Sequence, residues 1–467
     1  MTIVSNYPNL DHIYSETISQ LSNLINPKHL SFDINNFADI IETIDKTSRE
    51  LALSLVQQTL EDMDDAFFNS TERIRDFYVK VRRSRMLITV FGQVTFTRRI
   101  YQSKLDGRCF TYVDRKVGLP RYDRYDPTVK AKVVEAYADN NSMIKVGQII
   151  GEQMMTSFSR DSNRKHFSLS RQTVHNIVKS THKLYPKVNR YHTTPKTIYM
   201  MADEKYIPIQ KLDKNRAMLK HCVLFEGVRV KGKRVTLINK LSFSSLEHKF
   251  WEHIHDFLVH VYDFDKIERI ILMGDGASWI KAGAGELPKA TFILDKFHTF
   301  QAVSALTRNE IIRYNLRESI ITNDFTTFKE LIEVLKIKHE DDGSRLDTIK
   351  EKAKYLINHW DSIQRAHKAE LPGCSMEAQI SHNIASVFSS RPKAYALKNL
   401  EIYMSTRDLH LNGVDIIHAY LNTLTYKTSS KPQPIEKEVL DLSIFDPRPS
   451  YDKSSTSNWL KGFISKQ

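Results

Sequence analysis

Three acids in this sequence are of the right type and setting to do chemistry together: Asp203, Asp275 and Glu377. Asp275 lies in Ile270–Lys281, IILMGDGASWIK, where a short apolar run meets Gly274 and Gly276. A run of that length bounded by turn residues predicts a strand buried on both faces. A carboxylate at its carboxyl end stands where open α/β sheets place their ligands, and the flanking glycines leave space beside it. Asp203 closes a second apolar stretch, Thr197–Ala202. Glu377 opens a helix in which Ile380 and Ile384 follow at spacings of three and four. That spacing predicts the carboxylate on the apolar, sheet-facing side. An acid there is costly unless it is paired or bound to a metal. Hard carboxylate oxygens suit Mg²⁺ or Mn²⁺. Two such ions about 3.5–4 Å apart activate an attacking oxygen and stabilise a leaving one in phosphodiester chemistry. Taken alone, Asp275 has a plainer reading as a residue that starts a turn or caps the next helix.

The elements around these acids predict a single α/β sheet over residues 195–425. Thr197–Ala202, Leu219–Phe225 and Val235–Phe243 read as three strands with short connections, an antiparallel meander. Leu246–Val261 reads as a helix with Phe250, Ile254, Phe257 and Leu258 on one face, followed by the Ile270 strand. Ala277–Ala284 is helical, and Ala290–Leu294 is a last strand running into Asp295, Lys296, Phe297 and His298. Three strands, helix, strand, helix, strand is the connectivity of a ribonuclease-H-like sheet, with an all-helical insertion over 299–370. The helix of Glu377 starts after a turn at Pro372–Gly373. Asp295 and His298 read as a possible metal pair or as groups that orient the ligands. Cys374 near His382 invites a thiol-nucleophile reading, which spacing alone does not support.

Upstream, residues 1–80 read as helical, with Leu53, Val56, Leu60, Met63 and Phe67 on one face. Residues 81–190 read as a hairpin plus helices. Leu87–Phe91 and Gln93–Arg99 alternate around Gly92 as two strands, with Arg82, Arg83, Arg85, Arg98 and Arg99 at the open end. Those arginines either contact phosphates or form a solvated charged end. Met143–Met155 and Leu169–Lys183 predict two helices joined by a polar loop with Ser159–Asn163. Ser170 caps the second, and Arg171, Gln172, His175 and Asn176 project from its first turns while Val174, Ile177 and Val178 face inward. This is the pattern of a helix-turn-helix recognition helix, and equally of plain helical packing. The tail, 426–467, is turn-rich and reads as loosely ordered.

Composition narrows the partners. The chain has 467 residues, 41% hydrophobic and 26% charged, with a formal net charge of +13. That balance favours a folded protein with a polyanionic partner, most simply nucleic acid. No apolar run approaches the roughly 18 residues needed to span a membrane, and the start lacks a signal-peptide pattern. Cys109, Cys222 and Cys374 form neither a disulfide framework nor a zinc pattern, which points to a cytoplasmic setting.

YMMADEKYIPIQ, GDGASWIK, LDKFH, LPGCSMEAQISHNIASVFSSRPKAY and the hairpin FGQVTFTRRIY resemble the IS-Lre-two group of bacterial insertion-sequence transposases, a group also catalogued as a family of uncharacterised proteins. The resemblance covers roughly residues 50 to 425, and GDGASWIK and GCSMEAQISH are its most specific parts. It implies a DDE transposase with a ribonuclease-H-like core, an all-helical insertion before the last acid, and Asp203, Asp275 and Glu377 as catalytic triad and ligands of two Mg²⁺ or Mn²⁺ ions. Double-stranded DNA, as the element's terminal inverted repeats and as target, is then the partner of a nucleoid-associated homo-oligomer. A nuclease of the same fold that cuts without joining, and a DNA-binding regulator with an inactive core, are the alternatives.

Overall fold

The computed structural model describes residues 37–140, 142–154, 168–181, 194–210, 216–232, 234–368, 374–389 and 394–429, together with Ser15, Ile18 and Ser19. The chain divides into two compact units. The smaller includes Val56–Arg85 and Thr95–Tyr122; the larger includes Met86–Val94 and Asp123–Thr423.

Helix α1 (Phe37–Phe68) and a short helix, Thr71–Asp76, precede a hairpin of β1 (Phe77–Thr89) and β2 (Gly92–Ser103), to which β3 (Cys109–Phe110) adds a third strand. The hairpin is longer than its apolar alternation announced. Tyr78, Val79 and Val81 extend β1 because aromatic and β-branched residues suit extended backbone even when exposed. Gly92 supplies the turn at φ +129°.

In the larger unit, α2 (Pro127–Asn140), α3 (Met143–Met154) and α4 (Arg171–Ser180) pack on one another. Ser170 caps α4 by accepting from Thr173 N at 3.1 Å, and Val174, Ile177 and Val178 are buried as the spacing requires. The polar loop at Ser159–Asn163 lies outside the described residues, as do the turn at Pro372–Gly373 and the tail beyond Ser429.

A mixed five-stranded sheet follows, built from β4 (Thr197–Pro208), β5 (Arg216–Phe225), β8 (Leu241–Ser245), β9 (Arg269–Gly274) and β10 (Ala290–Leu294), in the order β10-β9-β4-β5-β8. β4, β5 and β8 pair antiparallel, whereas β4, β9 and β10 pair parallel. Two expectations need correcting. β4 does not end at Asp203; an unbroken antiparallel ladder with β5 carries it on to Pro208. The stretch Val235–Phe243 is not one strand. It breaks at Asn239, whose φ of +49° is a conformation that asparagine tolerates, into β7 (Arg234–Ile238) and β8. β7 pairs with β6 (Gly227–Lys231) as a separate ribbon.

Helix α5 (Phe250–Val261) covers one face of the sheet, where Met200, Ala202, Leu224 and Leu272 join Phe250, Trp251 and Ile254 in the main core. Each side chain of this size buried there contributes about 1.5–3 kcal/mol. Helix α6 (Ser278–Glu286) links β9 to β10. Helices α7 (Lys296–Leu306), α8 (Glu310–Ile321), α9 (Phe325–Lys338), α10 (Gly343–Asn358) and α11 (Trp360–Lys368) form the helical insertion. α11 packs on β10, where Arg365 Nε donates to Phe292 O at 3.1 Å. After it come α12 (Met376–Gln379), a π-helical turn at Ile380–Ala385, α13 (Ser386–Phe388), α14 (Leu397–Leu411) and α15 (Ile416–Ser429).

α14 closes the open edge of the sheet with side chains. Asn412, just past its end, accepts from Ser242 N at 2.6 Å and donates to Ser242 O at 3.0 Å, and Asp408 accepts from Ser244 N at 2.7 Å. An unpaired edge strand would otherwise invite other strands. Asn412→Ala should therefore lower the unfolding free energy by about 1–3 kcal/mol, because two backbone groups of β8 lose their partners. Urea denaturation reads this directly, and an unchanged midpoint at unchanged slope contradicts the clamp.

Candidate active site

Strand register brings the acids together. The last parallel pair between β4 and β9 is Met201↔Met273, so Asp203 and Asp275 each stand two residues beyond it. The last pair between β10 and β9 is Leu294↔Gly274, so Asp295 stands one residue beyond. Three carboxylates thus stand just past the point where the parallel pairing of three neighbouring strands stops, Asp275 and Asp295 beyond the ends of β9 and β10 and Asp203 within β4, and such strands lie about 4.8 Å apart in a sheet. Alternation along β4 sends Met200 and Ala202 into the core under α5 and turns Met201 and Asp203 to the opposite face. On that face Ser375 N donates to Met201 Sδ at 3.3 Å, which sets the start of α12 and Glu377 beside the strand ends.

The glycines around Asp275 are required by their neighbours. A Cβ on Gly274 would lie 2.9 Å from Ile280 and 3.1 Å from the Ala202 carbonyl. Gly276 holds φ +92°, and a Cβ there would lie 2.6 Å from His359 Nε2. The turn is also held by hydrogen bonds. Asp275 Oδ1 accepts from Ala277 N at 2.9 Å, and Tyr355 in α10 donates to the Asp275 carbonyl at 2.6 Å. The turn-forming reading of Asp275 and a role in a site therefore coexist. Tyr355 and His359, both from the insertion, were not visible as part of the site because they lie about eighty residues downstream of the turn they grip.

Asp203, Asp275, Asp295 and Glu377 line one cavity of about 210 Å³ with His298 and Cys374, and among the described residues no lysine or arginine lines it. Burial pushes the Asp203 carboxyl up to about 6, and the neighbouring charges of Asp275 and Glu204 push the same way. Burial also raises Asp295, with Glu377 adding to the effect, while the backbone N–H of Phe297 and His298 oppose it. His298 Nε2 stands 4.0 Å from Asp295 Oδ2. The Cys374 thiol is pushed up to about 12 by burial, which removes the thiolate that a nucleophile needs. Among the described residues no group of three or more His, Cys, Asp or Glu is already drawn together around one metal position. The acids share a cavity rather than a closed cage. The donor set still fits a hard divalent cation: oxygen ligands, mutual repulsion and, among the described residues, no lysine or arginine along the lining.

The face expected for Glu377 is not the one observed. Ile380 and Ile384 are buried, but Glu377 is exposed at the mouth of the cavity. Met376, four residues before Ile380, takes the buried face instead, and Glu377 stands about 100° around the helix from it. His382, in that turn, is exposed and does not line the cavity. The Glu204 carboxylate accepts from Trp279 Nε1 at 2.6 Å and is likewise absent from the lining.

The arginines of the hairpin separate into two groups. Arg85 and Arg98 both pair with the buried Asp114, at 2.7 and 2.9 Å, and Arg99 pairs with Asp64 and Asp65 at 2.7 and 2.6 Å. These three hold the smaller unit together. Arg82 and Arg83 are exposed. On α4, Arg171, Gln172 and Asn176 are exposed, with Gln172 Nε2 donating to Asn176 Oδ1 at 2.8 Å, while His175 Nδ1 is tied to Tyr403 Oη at 2.9 Å.

Two predictions follow from this geometry. Gly276→Ala should destabilise the protein by more than the roughly 1–2 kcal/mol that a left-handed backbone costs. Adding His359→Ala should return part of the loss, which a double-mutant cycle of thermal unfolding measures; strict additivity contradicts the close approach. Arg99→Ala strands the buried Asp64 and should cost about 3 kcal/mol or more, whereas Arg82→Ala should stay within about 0.5 kcal/mol. Equal effects in chemical denaturation would remove the distinction drawn here.

Comparison with known proteins places the chain. A UPF0236 protein of Caldanaerobacter subterraneus subsp. tengcongensis is 27% identical over 388 residues, covering 82% of this chain and 79% of its own. A second from the same organism is 27% identical over 388 residues, covering 82% and 75%. A third, 26% identical over 388 residues, covers 82% and 79%, and its name joins eleven locus designations. The solved Drosophila P element transposase strand transfer complex is similar at a TM-score of 0.25 and 10% identity, covering 66% of this chain and 83% of that one. That likeness is too slight to fix fold or function. The model of an uncharacterised protein family, UPF0236, matches residues 31–422, and the chain belongs to that family.

Proposed function

We propose that this protein is a DDE-type transposase with a ribonuclease-H-like core, which cleaves and joins DNA strands at the ends of an insertion sequence. The observation that carries the reading is the set of carboxylates just past the point where the parallel pairing of three adjacent strands stops. With Glu377 they line one cavity that no lysine or arginine among the described residues enters. The strand order, three antiparallel strands joined through the first to two parallel ones, supports the ribonuclease-H-like assignment. The eleven locus designations under one relative's name are what a self-multiplying element would leave in a genome.

Asp203, Asp275 and Glu377 would hold Mg²⁺ or Mn²⁺, with Asp295 on the same rim. Bound there, the ions supply the activation of an attacking oxygen and the stabilisation of a leaving one. The protein's part is to hold the acids and to place DNA. Gly274 and Gly276 let the chain turn so that Asp275 faces the cavity, and Tyr355 and His359 hold that turn. His298 lies beside Asp295 and orients it. Exposed Arg171, Gln172 and Asn176, on the amino-terminal half of the capped helix α4, suit contacts with base edges in a major groove, and Arg82 and Arg83 suit phosphates. His175, held by Tyr403, serves better to fix α4 than to read bases.

Cleavage of terminal-repeat DNA with Mg²⁺ or Mn²⁺ tests the reading. Asp203→Asn, Asp275→Asn and Glu377→Gln should each abolish cleavage while DNA binding survives, and double variants should be little worse than single ones. Cys374→Ser should stay active. Cation affinity should fall as pH drops through about 6, because protonating Asp203 neutralises a ligand. Cleavage without strand transfer would make the protein a nuclease. DNA binding without cleavage would make it a regulator, and undiminished cleavage in a chelator would overturn the metal mechanism.

A further inference from the structure

Glu377 sits in the first turn of a helical segment, residues 376–388, whose middle, Ile380–Ala385, is π-helical, so the direction of its carboxylate depends on how that turn is held. Its anchor is a chain of buried polar groups outside the acidic cavity. Asn383 Nδ2, in the π turn directly after α12, lies 3.0 Å from Gln379 Oε1 and 3.4 Å from His221 Nε2. His221 Nδ1 lies 2.8 Å from Ser244 Oγ. Ser244 Oγ donates to Asp408 Oδ1 at 2.9 Å. The directions agree with one another. The single hydroxyl proton of Ser244 goes to Asp408, so its oxygen accepts from His221 Nδ1–H, and Nε2 is left to accept from Asn383. His221 is fully buried, and burial pushes its imidazole down to about 3, which keeps it in the neutral form this chain needs. From the other side, Arg407 Nε donates to Asn383 O at 3.2 Å and its Nη1 to Ala138 O at 3.0 Å.

The π turn is what lets this chain form. It adds a residue to the helical turn, and in a regular α-helix Asn383 would be rotated by about 100° away from its present direction. His221 is moreover the strand partner of Asp203, directly opposite it on β5. The anchor of the Glu377 helix is therefore fixed to the same rung of the sheet as the first acid.

We propose that Asn383 and His221 are positioning residues for Glu377, which lock the π turn onto β5 so that α12 presents its carboxylate beside Asp203. This rests on the reading of Glu377 as an acid of the metal site. An apolar pair of similar size would pack without the cost of burying polar groups, so the network's return is a defined geometry.

The test uses the full chain and the variants Asn383→Leu, His221→Phe and His221→Gln. Glutamine can accept from Asn383 and donate to Ser244, so it is the rescue. The readouts are turnover on terminal-repeat DNA with saturating Mn²⁺, DNA affinity, and hydrogen exchange of the backbone amides over residues 376–385. Asn383→Leu and His221→Phe should lower turnover by roughly 10–100-fold, as loss of groups that orient a metal ligand does, with DNA affinity unchanged and exchange over 376–385 faster. His221→Gln should recover most of the turnover. Folded Asn383→Leu protein with full turnover and unchanged exchange would overturn the proposal. If the native protein cleaves no DNA, the functional reading fails separately, and exchange still decides: faster exchange in Asn383→Leu supports the anchor and unchanged exchange removes it. If His221→Phe does not fold, Asn383→Ser replaces it under the same criteria.

Discussion

Like charges on adjacent strands repel, and the larger unit is arranged to keep three of them together where parallel pairing stops. Parallel pairing of β4, β9 and β10 sets Asp203, Asp275 and Asp295 at one edge, and among the described residues no basic side chain lines the cavity to relieve them. The repulsion shows as a raised Asp203 carboxyl, with burial as the larger cause. A folded protein does not keep such a group of acids half-buried for stability, since each costs desolvation that a backbone N–H does not offset as a counter-charge would. The cost is reasonable where an outside cation completes the set.

Two of the acids are supported by groups distant in sequence. The turn at Asp275 is gripped by Tyr355 and His359 from the helical insertion. The Glu377 helix is tied through Asn383 to His221. Helix α14 is common to several of these contacts. It packs on α2, α4 and β8, clamps the edge strand through Asp408, and sends Arg407 to both the π turn and the end of α2. The three-helix group that bears α4 and the strand ends that bear the acids are thus joined by one rigid element within the same unit.

How much of this was legible in the sequence depends on whether the cause was local. Asp275 between two glycines was readable because the turn it needs is encoded within three residues. The capped helix at Ser170 was readable for the same reason. The continuation of β4 past Asp203 was not, since it comes from the ladder with β5 rather than from the residues that follow. The break at Asn239 hides in a run that alternates well enough for one strand. The orientation of Glu377 is not legible from its spacing to Ile380, because Met376, one residue earlier, fits the same apolar face at a spacing of four and occupies it. The hairpin arginines were visible as charge, but Asp64 and Asp114, which engage three of them, are neighbours only in the fold.

The central claim is that the cavity between Asp203, Asp275, Asp295 and Glu377 takes divalent cations. Crystals grown with Mn²⁺ and measured at the manganese absorption edge test it without reference to catalysis. The account predicts anomalous density in that cavity, bridging Asp203 and Asp275, and its loss in Asp275→Asn crystals. Manganese bound elsewhere on the protein, with the cavity empty at saturating metal, would contradict it.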